Sequence, residues 1–313
     1  MKCTASFTIF PAAFVLCLQA VPAQAQSPRT FVSGTGSDAS ATCGRAAPCR
    51  TFAGAIGKTD AGGEIVVLDA AGYGPVVIEK SITITNDGVG TAAIRPTPGG
   101  VGILIDAKET DVVNLRGLSI DGNGGTGASG IVFTTGASLN VQNCVIQNIR
   151  GLGDFSGVGI LFTPAASSSL TVSDTLVANI SGLAISIQAR NNVKAVLNRV
   201  QAYNSTYGLY VDGNVSIGTI NVTVADSVAA NNDFIGFAAD SGKAVTNLML
   251  VRSVSANNAT GIASFGPKAS VLSAQSTVTG NRTGWNLFIL SFGDNYVGGN
   301  TDDGGFPRTI PTR

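Results

Sequence analysis

Asp212 and Asp240 form the charge pattern in this chain that most invites chemistry. They lie twelve residues after the aliphatic residues Val200 and Val228, as Gln188 lies twelve after Leu176. If the segments holding them are successive turns of one repeating structure, they stack at strand spacing, about 4.8 Å. Carboxylates that close repel each other, and the repulsion has two outlets. The pair can share a proton, raising one pKa for acid or base work, or bind a hard cation such as calcium. Arg190 and Asn214, each fourteen residues after its own aliphatic residue, stand nearby with Lys243, and this set would hold an acidic sugar. Asp212-Gly213 and Asp240-Ser241-Gly242 are also ordinary turn sequences, so a solvated face competes with the site reading.

Asp226 and Arg252 share another position of the repeat and read as a surface ion pair, a contact of small worth. Cys43 and Cys49, in CGRAAPC, are spaced so that a disulfide between them would staple a loop, and Cys144 is left over. The chain has no histidine and no Cys-x-x-Cys pair, which removes the usual zinc ligand sets; no cofactor is implied beyond the possible calcium. Asn-x-Ser/Thr triplets begin at Asn179, Asn204, Asn221 and Asn281, but a chain rich in Asn and Thr turns produces such matches by composition.

The elements that position these residues must be strands. Forty glycines and only 6% aromatics, with many Asn, Ser, Thr and Val, favour short strands and tight turns over helices. With 313 residues, 44% of them hydrophobic, the chain can bury a large core in one domain. Nineteen basic and nineteen acidic residues cancel, so no overall field draws in nucleic acid. Residues 1–25 have the form of a signal peptide: Lys2, an apolar stretch from Phe7 to Val21, then Ala23-Gln24-Ala25. No later run approaches the roughly 20 apolar residues of a spanning helix. The expectation is a soluble, secreted or periplasmic protein.

Repetition organises the rest. LRGLSID, QNCVIQN, SDTLVAN, LNRVQAY, ADSVAAN, VRSVSAN, QSTVTGN and DNYVGGN follow one another at intervals of 19 to 31 residues. Their fourth residues, Leu118, Val145, Leu176, Val200, Val228, Val254, Val278 and Val297, are all aliphatic and are expected inside. Their seventh residues are Asp or Asn except Tyr203, which Asn204 follows; Asn148, Asn179, Asn231, Asn257 and Asn281 are expected at one turn. Alternating runs such as Leu170/Val172, Val222/Val224 and Leu248/Leu250 precede the motif. A Gly-apolar step follows it, as at Gly208-Leu209 and Gly236-Phe237. Two or three short strands per unit and no helical period predict an all-β parallel β-helix. A leucine-rich-repeat solenoid lacks its leucine frame here, and a β-sandwich does not need the recurring Asn.

Residues 49–84, CRTFAGAIGKTDAGGEIVVLDAAGYGPVVIEKSITI, resemble the opening of right-handed parallel β-helix proteins of the pectin-lyase-like class. The resemblance extends over roughly residues 29 to 300 and is to exported bacterial members without an assigned activity. It implies a short N-terminal capping helix carrying Phe52, Ala55 and Ile56 on its apolar face. The implied organisation is a strand, loop and cap in 26–60, the coil in 61–300 and a tail in 301–313. The class includes pectin methylesterases, whose Asp-Phe-Ile-Phe-Gly and Gln-Asp-Thr-Leu passages are similar to Asp233-Phe234-Ile235-Gly236 and Ser173-Asp174-Thr175-Leu176. Here the two aspartates fall about two turns apart and in different columns, so Asp233 reads as a turn residue. The histidine of polygalacturonases and the Trp-Ile-Asp-His passage of pectate lyases are absent. The expected function is binding of extracellular polysaccharide or a surface partner without catalysis. A lyase or hydrolase acting on an acidic glycan is the alternative, and a structural or adhesive surface protein is a further one.

Overall fold

The computed structural model describes residues 26–311 apart from 124, 127, 152–156, 287 and 306. The expected signal segment and the last two residues of the tail lie outside the described residues. Among the described residues the repeat becomes three parallel sheets of 12, 10 and 9 strands, called A, B and C in the order the chain visits them. One full turn runs through Ile220–Ala225 in A, Val228–Ala230 in B and Ile235–Asp240 in C, and the next begins at Thr246–Val251. Parallel strands joined by crossovers of this kind wind right-handed. The chain is thus the right-handed parallel β-helix that its repeat predicts. No helix among the described residues is long and apolar enough to cross a membrane.

Before the coil, Ser27–Val32 pairs with Thr59–Val67. The intervening loop carries a Cys43–Cys49 disulfide, with Cα atoms 4.8 Å apart. A five-residue helix, Phe52–Ile56, starts at Thr51, whose hydroxyl accepts the Gly54 N–H and so satisfies an orphan donor of the first turn. Phe52 and Ala55 are buried, and Phe52 packs 5.1 Å from the Tyr73 ring.

Side-chain alternation fills the coil. In sheet A the inward column Val141–Val172–Leu197–Val224–Leu250 stacks in register, and each member is buried. In sheet C, Phe133 lies over Phe162 with centroids 4.6 Å apart. Sheet B corrects one sequence expectation. Val145, Leu176, Val228 and Val254 do share a column, but an exposed Gln201 completes it and the four apolar side chains face outward, half-buried. The interior column lies one residue later: Ile120, Ile146, Val177, Ala202, Ala229, Ser255, Val278 and Val297. Leu118 and Val200 precede the outward column by one and are buried in the core, as expected. The cause is the two-residue period, in which an offset of one moves a side chain to the other face.

The turn from B to C uses left-handed backbone at Asn148, Asn179, Asn204, Asn231 and Asn257, with φ between 51° and 58°, and glycine at 280 and 299. Asparagine tolerates this region better than other side chains, which explains its recurrence. The expected turn column therefore holds, with Asn204 in place of Tyr203 and with Asn281 excluded. Asn281 lies one position further on, inside the turn, in a buried ladder with Asn232 and Asn258 that continues to Asn300. Glycine is the second residue of each late strand of sheet C because the space is taken. A Cβ on Gly208 would sit 2.5 Å from the Gly236 carbonyl oxygen.

Candidate functional site

Two features on the outside of the coil combine concavity or charge with chemistry. The first lies at the C-terminal ends of sheet C strands. Asp212 pairs directly with Asp240 on the next strand, one strand spacing away. Each carboxylate has its own partner. Asp212 Oδ1 accepts the Asn214 N–H at 2.8 Å, forming a local turn, and Asp240 Oδ2 accepts the Tyr210 hydroxyl at 3.1 Å. Asn214 Oδ1 in turn accepts the Gly242 N–H at 2.8 Å, which ties the two turns together. Burial, with the Asp240 charge next, pushes the Tyr207 and Tyr210 hydroxyls above their ordinary values. Arg190 and Lys243 stand exposed on the same corner, and no ion pair joins them to the carboxylates among the described residues.

The calcium expectation can be weighed against this donor set. Calcium takes six to eight oxygens. Here two carboxylates converge, each with an oxygen already engaged, and no third acidic, His or Cys side chain joins them among the described residues. The residues fit a cation only as a partial shell, completed by water or by a ligand's own oxygens.

The second feature escaped the sequence reading as a site. A groove of about 590 Å³ follows the B-to-C turn, lined by Asn148, Asn179 and Asn204 together with Arg150, Ser181 and Asp233. The amides form a chain: Asn204 Nδ2 donates to Asn179 Oδ1 and Asn179 Nδ2 to Asn148 Oδ1, both at 3.1 Å. Asn148 Nδ2 donates to the Asp121 carboxylate at 3.1 Å. Desolvation raises the Asp121 pKa, but the Asn123 N–H and the Asn148 and Gln147 amides outweigh it and hold the carboxyl below its ordinary value. A primary amide has two N–H groups and two acceptor lone pairs. One of each serves the ladder, which leaves a donor and an acceptor per turn for a ligand. Phe234, next to Asp233 and 44% exposed, meets Tyr207 edge-on at 5.3 Å, and Tyr207 lies 5.2 Å from Tyr210. This aromatic strip links the groove to the carboxylate pair. The signal available in the sequence was the recurring left-handed Asn itself.

Asp174 does not join Asp233. It occupies the left-handed turn between sheets A and B, where Arg199 grips its carboxylate from two nitrogens, one at 2.9 Å, and lowers its pKa. Arg252 holds Asp226 in the same way at 2.8 and 2.9 Å, one step along the same turn column. These ladders are exposed and structural.

No protein-family model matches the chain, and no curated protein does. Among solved structures, the pectate lyase Pel9A is 14% identical, superposes with a TM-score of 0.65, and is matched over 92% of this chain and 80% of its own. The A-module of the mannuronan C-5 epimerase AlgE4 from Azotobacter vinelandii is 12% identical at a TM-score of 0.46, over 80% of this chain and 91% of its own. The likeness to Pel9A shows a shared fold, the parallel β-helix.

Proposed function

We propose that this is an exported protein that binds a linear polysaccharide along the B-to-C groove without cleaving it. The reading rests on one observation: side-chain amides of Asn148, Asn179 and Asn204 repeat at turn spacing along a groove that they line. Stacked turns present hydroxyl-binding groups at an interval comparable with a sugar unit, about 4.8 Å. Phe234 at the groove's edge offers an aromatic face to the apolar side of a sugar ring. The fold shared with a pectate lyase supports a carbohydrate ligand by analogy, since one fold hosts many activities.

The test is a polysaccharide array followed by calorimetry on the best ligand. Asn179→Gly and Asn204→Gly keep the left-handed backbone, as Gly280 and Gly299 do at the same position, while removing the amide. Each should weaken binding about tenfold, the worth of one or two net hydrogen bonds. Unchanged affinity in both variants would refute the groove assignment.

A lyase or hydrolase acting on an acidic glycan is the competing reading, favoured by the adjacent Asp212 and Asp240 beside Tyr210. Its test is the appearance of unsaturated or reducing-end products from polygalacturonate or alginate, abolished by Asp240→Asn.

A further inference from the structure

The overall charge balance conceals an uneven distribution. On the corner where sheet C returns to sheet A, the early turns carry mixed charges: Glu79, Lys80, Asp106, Lys108, Glu109 and Asp111. Over the late turns the corner changes character. Large apolar side chains stand on its loop tips, with Ile217 79% and Phe288 70% exposed, and Val215, Val245 and Phe265 at least 40% exposed. Hydrogen bonds stack these loops on one another: Ile217 N–H to the Arg190 carbonyl, Ile220 N–H to Val245, and Lys268 N–H to Ser241. Phe288 and Pro267 flank a shallow apolar groove at the end of the row. The exposed charges here, among the described residues, are the cations Arg190, Lys194, Lys243 and Lys268; the half-buried carboxylates of Asp212 and Asp240 on the same corner leave it net positive.

We propose that this corner docks onto an anionic lipid surface, its apolar tips entering the acyl boundary and its cations meeting headgroup phosphates. Exposed apolar side chains gathered on neighbouring loop tips, rather than scattered singly, mark interaction surfaces. At about 200 Å² per aromatic side chain, Phe265 and Phe288 together leave of the order of 200 Å² of apolar area in water. Protruding apolar groups flanked by lysine and arginine match the depth profile of a membrane interface. An isologous contact between two copies would face four cations with four cations, offset by only two half-buried carboxylates from each copy, which disfavours self-association. An acidic polysaccharide would use the cations and leave Ile217 and Phe288 unexplained. This inference stands apart from the groove reading, whose residues lie on another corner.

The experiment is flotation of the full chain with vesicles of equal parts phosphatidylglycerol and phosphatidylethanolamine, and with pure phosphatidylcholine. Hydrogen exchange is followed in residues 213–219, 242–245 and 266–268. The parent should partition at least about tenfold more strongly to the anionic vesicles and show slowed exchange in those loops. The pairs I217S/F288S and K243E/K268E should each lose at least about tenfold and the local protection. Parent and variants share the apolar stretch from Phe7 to Val21, so its own affinity for lipid cancels in the comparison. Equal partition of parent and variants, or no local protection, overturns the proposal. So does vesicle-independent dimerisation that I217S/F288S abolishes, which makes the corner an interface between copies. Binding of polygalacturonate that K243E/K268E removes, without vesicle binding, assigns the cations to a glycan instead.

Discussion

Asn258 provides the sharpest test of how the turns are held. Its amide donates to the Asn281 side chain at 3.0 Å, to the Ala229 carbonyl at 3.1 Å and to Ser255 Oγ at 3.2 Å. Its Oδ1 accepts both the backbone N–H and the side-chain amide of Asn232 at 2.9 Å. All of this is buried, so Asn258→Ala strips the Asn232 backbone N–H of its acceptor and the Ala229 carbonyl of a donor away from bulk solvent. At roughly 1–3 kcal/mol per orphaned group, the loss should be about 3–4 kcal/mol. The neighbouring Asn257 lies on the outer ladder, with one exposed 3.3 Å contact to Asn231. Asn257→Gly keeps the left-handed backbone and should cost at most ~1 kcal/mol. Asn258→Asp adds a pH signature. The buried carboxyl retains its acceptors but loses its donors unless protonated, and burial raises its folded pKa above the unfolded value of about 3.9. A group raised in this way stabilises below the unfolded pKa and loses that stability as pH rises through the folded value, so the variant should be less damaged at pH 4 than at pH 7. Urea denaturation read by circular dichroism, with hydrogen exchange resolving the individual turns, measures all three. Equal costs for Asn257→Gly and Asn258→Ala would refute the assignment of an outer and an inner ladder.

Ala229→Asp places a charge in the coil interior and should unfold the middle turns, at a cost of several kcal/mol, whereas Val228→Asp, on the half-buried outer face, should cost about 1 kcal/mol; thermal melts that rank them the other way would overturn the register. If Asp212 and Asp240 bind calcium, alone or through an acidic oligosaccharide, added calcium should raise the melting temperature. Asp212→Asn and Asp240→Asn should each remove the shift and Asp233→Asn should leave it, so equal shifts in all of them would dismiss the site. The Ser33 and Tyr73 hydroxyls and the Gly34 N–H hold Asp69 below the ordinary carboxylate range. Its contribution is present above the unfolded pKa of about 3.9 and is lost as pH falls through the lower folded value. Acid should therefore loosen the first turns, and Asp69→Asn should flatten that dependence in a pH series of melts.

The sequence by itself determined the architecture, because a solenoid writes each turn into the chain as a local unit. Alternation at Leu170/Val172 and Val222/Val224 announces strands, and Asn at fixed distance announces a left-handed turn, before any long-range contact is known. The same regularity made Asp212 and Asp240 legible as stacked neighbours, although Val200 is buried and Val228 faces outward one residue out of register with it; a B-to-C turn one residue longer after Val228 restores the match. Only the tertiary structure decided which face each residue takes. Turns of unequal length leave the offset between motifs uncertain by one, and one residue is the difference between Val228 outside and Ala229 inside. The sequence motif aligned Asn281 and Asn300 with Asn231 and Asn257, whereas the structure sets them beside Asn232 and Asn258, each the second member of a tandem whose first member takes the left-handed backbone. The tandem's division into an exposed position and a buried one follows from hydrogen bonds between turns, which the sequence does not express. The groove arises in the same way. Arg150, Asn179 and Asp233 belong to different turns, and the stacking of turns at a corner is what makes them neighbours.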